Sequence, residues 1–235
     1  MERLLLIPLC FLVFSCSVTR QDNNSIQVST FLHGTATLRC SFGFINGPEG
    51  LFVSWVKKQP DKVVHSYHDG ADDLTDQDVQ FQHRTKMSIS FYKGNVDLTL
   101  NNVGFEDEGI YSCGASNKMG HGEVYFRIYI DRLHGEDPVV LVVDGKKQLK
   151  CSSVGFYEDA EIIWQNKELE DLSRPETPTS RTLQPDGRLL LESTLDIDVK
   201  PNVHYFCRVK EGRLRRSTRA VLSDGEHSIN MRNEF

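Results

Sequence analysis

Six cysteines, eight histidines and a crowd of aspartates are the residues with which this chain could do chemistry. A zinc site would use ligands at short spacing, and no Cys-x-x-Cys pair occurs. Asp69, Asp72, Asp73, Asp76 and Asp78 share one stretch. That stretch lacks the glycine spacing and terminal glutamate of a calcium loop, so it reads as a solvated loop. The histidines are scattered, and no glycine-rich phosphate loop appears. Catalysis needs a nucleophile beside a base, or paired acids in a pocket, and neither is visible. The reading is a protein that works by binding, with no cofactor and no small-molecule substrate. A net charge of −6 argues against nucleic acid as its partner.

The cysteines then matter as crosslinks, and their environment comes first. Met1-Glu2-Arg3, the apolar run Leu4 to Phe14 and the small residues Ser15-Cys16-Ser17 read as a secretory signal peptide over residues 1–17. The competing reading is a buried N-terminal helix; the run is too short to span a bilayer. Cleavage after Ser17 removes Cys10 and Cys16. Cys40, Cys113, Cys151 and Cys207 remain, and in an oxidising compartment four cysteines allow three connectivities.

Spacing narrows these. Cys40 is followed by Trp55 and then by Asp107-x-Gly109-x-Tyr111-x-Cys113. Cys151 is followed by Trp164 and then by Tyr205-x-Cys207. These are the only 2 tryptophans, and each segment has a tyrosine two residues before its second cysteine. In an extended strand such a pair shares one face. The architecture that needs this arrangement stacks two antiparallel sheets about 10 Å apart, bridged by a disulfide with a tryptophan against it and a tyrosine at the corner. The expected fold is therefore all-β: two tandem immunoglobulin sandwiches, variable-type then constant-type. Cys40–Cys113 and Cys151–Cys207 follow as the bridges, each contributing roughly 4 kcal/mol in the chain-entropy model.

The strands agree. "TATLRCSF" turns Ala36, Leu38 and Cys40 inward, and "VDLTLNNV" puts Leu98 and Leu100 on one face. Helical periodicity is absent. The longer interval between the first two cysteines leaves room for an extra hairpin, which "KVVHSYHDG" (Lys62–Gly70) fits. Arg84 precedes one strand and Asp107 the tyrosine corner, and in variable-type domains such a pair usually closes the bottom of the sandwich with a salt bridge. The units run over 18–131 and 132–223, with a polar tail over 224–235. The link "IDRLHGEDP" is short, so the two units should form a semi-rigid, end-to-end pair.

The segment from "KVVHSYHDG" to "GIYSC" resembles the first domain of the T-cell costimulatory and coinhibitory ligands, the B-seven family, and of the related butyrophilins. "LKCSSVGFYEDAEIIW" resembles their constant-type second domain. The resemblance implies a glycoprotein that binds an immunoglobulin-type receptor on T or NK cells and modulates their activation. It also implies that the outward face of the front sheet is the contact surface. The outward positions expected there are Phe52, Ser54 and Val56 on one strand, His65 and Tyr67 on the next, and Tyr125, Arg127 and Tyr129 on the last. The alternative reading is an adhesion or self-associating module, a homodimer included. Asn23, in Asn23-Asn24-Ser25, is the expected N-glycosylation acceptor. Lys210, Arg213, Arg215, Arg216 and Arg219 bracket a late hairpin, read as solvated rather than as an anion-binding patch.

Two features depart from the resemblance. Glu158 stands where these domains usually carry proline, which leaves the turn before Trp164 open. No run of about 20 apolar residues follows the second domain, which suggests a secreted protein, a shortened splice product or a truncated gene model.

Overall fold

The computed structural model describes residues 25–143, 148–173 and 178–222, and the backbone of 229–234. The signal peptide and Asn23 lie outside the described residues. The first half builds β1 (Ile26–Phe31), β2 (Gly34–Leu38), β3 (Phe52–Lys57), β4 (Lys62–His68), β5 (Ala71–Asp72), β6 (Thr85–Ser90), β7 (Asn95–Val103), β8 (Gly109–Asn117) and β9 (Gly120–Arg132). The second half builds β10 (Val139–Val143), β11 (Gln148–Gly155), β12 (Glu161–Gln165), β13 (Ser180–Leu183), β14 (Leu189–Asp196), β15 (His204–Glu211), β16 (Leu214–Leu222) and β17 (Ile229–Glu234).

These strands form two sandwiches. In the first, a front sheet of order β1-β9-β8-β3-β4-β5 faces a back sheet of order β2-β7-β6. In the second, β10-β11-β14-β13 faces β12-β15-β16-β17. The extra β4–β5 edge makes the first sandwich variable-type. β17 is built from the stretch read as a polar tail, and it pairs antiparallel with β16.

Alternation along the strands fills each core. Ala36, Leu38, Leu98 and Leu100 from the back sheet meet Val53, Trp55, Tyr111, Phe126 and Ile128 from the front sheet, all buried. Disulfides join Cys40 to Cys113 and Cys151 to Cys207. Trp55 and Trp164 lie opposite Cys113 and Cys207 in their sheet registers. Each indole therefore packs where the crosslink passes through the core.

The base of the first sandwich is held by charge. Asp107 is fully buried, and its carboxylate pairs with the Arg84 guanidinium. It also accepts from Gln80 Nε2 at 3.0 Å and from the Gly104 N–H at 2.9 Å. Together these donors meet the charge that burial would otherwise leave exposed to a low dielectric. Gly109 follows at φ 136°, a conformation that L side chains avoid. The chain then turns into β8, and the Tyr111 hydroxyl donates to the Asp107 carbonyl at 2.6 Å.

The domains are tied at their junction. Arg213, in the β15–β16 turn, donates to Glu108 Oε1 at 2.6 Å and to the Ile130 carbonyl at 2.8 Å. Arg216 donates to the carbonyls of Leu133 and Gly135. Two arginines read from sequence as part of a solvated hairpin are therefore engaged at the junction, Arg213 with the first domain and Arg216 with the linker. Their donors meet the carbonyls of Ile130 at the end of β9 and of Leu133 and Gly135 in the linker.

Candidate functional site

The candidate site is the outward face of the front sheet, and strand register decides what that face carries. Across β3, β8 and β9, Phe52 stands beside Ser116 and His121, Ser54 beside Gly114 and Glu123, and Val56 beside Ser112 and Tyr125. Further along, Ile110 stands beside Arg127. Tyr129 lies beside Ser29 of the parallel edge strand β1. Phe52 is 45% exposed and Tyr129 38%; Ser54, Val56, Tyr125 and Arg127 are half-buried. The result is a shallow strip of small residues, Ser54, Gly114 and Ser66, flanked by aromatic and apolar side chains.

On β4 the structure corrects the sequence reading. His65 and Tyr67, expected to face outward, are buried. Tyr67 pairs with inward Val53, and His65 with inward Trp55. The outward β4 residues are Ser66 and His68, opposite Ser54 and Phe52. A register shift between Trp55 and Val56 puts Val64 and His65 inward in succession. Such a bulge breaks simple alternation, and a one-residue slip exchanges every side chain between faces. In the core, Thr85 Oγ1 lies 2.9 Å from His65 Nδ1, while Nε2 lies 3.3 Å from Asp72 Oδ1 and makes no hydrogen bond among the described residues. Burial and the nearby Asp72 and Asp69 carboxylates push the Tyr67 phenol above its ordinary pKa.

The face is mostly neutral, with its charge toward the β9 side. The Tyr125 hydroxyl donates to Glu123 at 2.7 Å, and this bond pushes the phenol above its ordinary pKa. Tyr125 is thereby fixed in orientation, with its ring available for contact. The His68 ring stands edge-on to Phe52, with centroids 6.1 Å apart. His68 and Ser66 are site neighbours that strand alternation missed. The register of Phe52 against the start of the hairpin turn would have found them.

The aspartates do structural work. Asp78 caps the short 3-10 turn Val79–Phe81 and lies 3.5 Å from Lys62 Nζ, and Asp73 accepts from the Thr75 N–H. Among the described residues, no group of three or more His, Cys, Asp or Glu is placed to hold a metal ion. Among them, too, no helix is long and apolar enough to cross a membrane.

The fold is that of an immunoglobulin domain of the variable class, and residues 21–130 match the Immunoglobulin V-set domain family. The chain is homologous to butyrophilins and to B-seven ligands. "Putative butyrophilin subfamily 2 member A3" of Homo sapiens is 26% identical over 93% of this chain and 37% of its own length. "V-set domain-containing T-cell activation inhibitor 1" of Rattus norvegicus is 23% identical over 86% of this chain and 74% of its own length. "CD276 antigen homolog" of Xenopus laevis is 27% identical over 77% and 60% respectively. The chain thus spans little more than a third of the butyrophilin it matches. One of these relatives is named as an inhibitor of T-cell activation.

Proposed function

We propose that this protein is an extracellular ligand that docks the outward face of its front sheet on an immunoglobulin-type receptor of T or NK cells and modulates their activation. In this reading residues 18–131 form the docking unit and 132–223 the supporting one. The observation that carries it is the composition of the face. Phe52, Val56, Tyr125 and Tyr129 surround a neutral strip of small residues on a rigid sheet. Aromatic residues around a weakly charged centre are the makeup of an interface core. Tyrosine adds contact area at low entropic cost and keeps a polar tip. A standard interface would cover about 800 Å² of this surface. The T-cell role printed in a relative's name favours the same class of partner.

Docking is the whole mechanism. No bond is made or broken, and the signal arises in the partner. The test is a screen of the soluble chain against T- and NK-cell surface receptors. The expected result is a hit that Tyr125→Ala and Tyr129→Ala each weaken. Tyr67→Ala is unsuitable here, because it would open a cavity in the core. Concentration-dependent self-association with no receptor hit would replace this reading with the homophilic one.

A further inference from the structure

At the elbow between the domains a histidine sits between carboxylates. His33 occupies the β1–β2 turn in a left-handed conformation, φ 59°. Its Nε2 lies 3.4 Å from Glu211 Oε1, and its Nδ1 lies 3.7 Å from Glu158 Oε1. The Glu211 side chain is only 6% exposed. Its Oε1 accepts the N–H groups of Glu158 and Asp159, both at 2.8 Å. Its Oε2 makes no hydrogen bond among the described residues. A buried carboxylate so placed is costly unless a cation meets it. The nearby arginines are otherwise engaged, Arg213 with Glu108 and Arg216 with Asp137 and the linker carbonyls. A protonated His33 is the cation within reach. Glu158 completes the arrangement: proline at that position has no N–H to give, so Glu211 would lose one of its two backbone donors.

We infer that His33 is a protonation-operated latch: charged, it fastens the first domain to the buried Glu211 of the second, and neutral, it lets the elbow loosen. The surroundings favour the charged form. Glu211 on β15, Glu158 and Asp159 between β11 and β12, and Glu106 of the Phe105–Asp107 turn line the same cleft. Asn102 on β7 lines it as well. Against these stand Arg132, whose guanidinium lies over the Phe31 ring, and His134, stacked on Phe31 from its other neighbour in the junction. His134 is held below its ordinary pKa by burial and by His33.

The titrations agree in sign. The hydrogen bond to Glu211 raises His33 above its ordinary 6.5, outweighing burial. Burial pushes Glu211 upward, but the bonds from His33, Asp159 and Glu158 prevail and hold it below its ordinary 4.5. A raised histidine stabilises the contact fully below 6.5, and that contribution is lost as pH rises through its folded-state value. A lowered glutamate contributes above 4.5, and that is lost as pH falls through its folded-state value. The latch is therefore tightest in mildly acidic solution and loosens toward alkaline pH.

The test is amide hydrogen exchange of Glu158 and Asp159 in the whole chain, corrected for the intrinsic pH dependence of exchange, with the His33 ring followed by NMR. Protection of the two amides is expected to fall by about threefold or more between about pH 6 and about pH 8.5. His33 is expected to titrate above 6.5. His33→Asn, which tolerates the left-handed turn, should remove the pH dependence while the Phe126 and Ile128 amides stay protected. Glu211→Gln should bring the His33 midpoint down even if the asparagine variant folds poorly. Protection that does not change over this range, or a His33 midpoint that Glu211→Gln leaves in place, would overturn the latch.

Discussion

In the first domain the tyrosine before the second cysteine, Tyr111, donates to the carbonyl of Asp107, a residue already held by Arg84, Gln80 and Gly104. In the second domain Tyr205 holds the same place in sequence, but its hydroxyl accepts from the Lys200 N–H at 3.2 Å. The tryptophans differ too. The Trp164 indole donates to Ser193 Oγ at 3.2 Å, whereas the buried Trp55 N–H makes no hydrogen bond among the described residues. One pattern of cysteine, tryptophan and tyrosine thus builds two sandwiches that distribute their polar stabilisation oppositely. The first concentrates it at its charged base, and the second puts some of it beside the crosslink. The more heavily bonded corner leads into β8, which carries part of the candidate face.

The sharpest way to break this contrast is Asp107→Ala. It leaves Arg84 without its carboxylate and removes acceptors from two further donors, so the first domain should lose about 3–5 kcal/mol. Calorimetry should show its transition moving down with the second domain's unchanged. Next come the tryptophans. Trp164→Phe removes ring volume and a buried hydrogen bond, while Trp55→Phe removes volume alone, so Trp164→Phe should cost about 1 kcal/mol more in its own domain. The hydroxyls are smaller again. Tyr111→Phe should cost about 1–2 kcal/mol by leaving the Asp107 carbonyl unmet, and Tyr205→Phe about 0.5–1 kcal/mol, by denaturant unfolding of each variant. Equal losses at both tyrosines would mean that the two corners are equivalent after all. Gly114→Arg should be nearly neutral for stability, because a Cβ there meets only the Ser54 carbonyl oxygen, at 3.8 Å.

Much of the fold was readable because the residues that carry it have few other uses. Paired cysteines, the two tryptophans and the tyrosines at fixed offsets report distances across a sandwich, and core alternation in β2 and β7 follows the strand period. The Arg84–Asp107 pair was legible from the variable-type pattern, in which such a pair closes the bottom of the sandwich. The candidate face was only partly legible. Phe52 and Tyr129 point outward by simple alternation, but the bulge by Val56 reverses the reading on β4. His65 looks like a surface residue until Thr85, 20 residues further on, is seen beside its Nδ1. The elbow was invisible for a similar reason. Nothing in the order of residues says that His33 meets Glu211, since that contact exists only once two domains have packed.

The central claim is that the outward face of the front sheet does the binding, and a paired steric block tests it most directly. Labelled Gly114→Arg protein presents a bulky cation in the middle of the face, while Ser88→Arg places the same side chain at an exposed position on the back sheet. Both should fold, and on T and NK cells the first should lose binding while the second keeps it. Undiminished binding by Gly114→Arg would contradict the account.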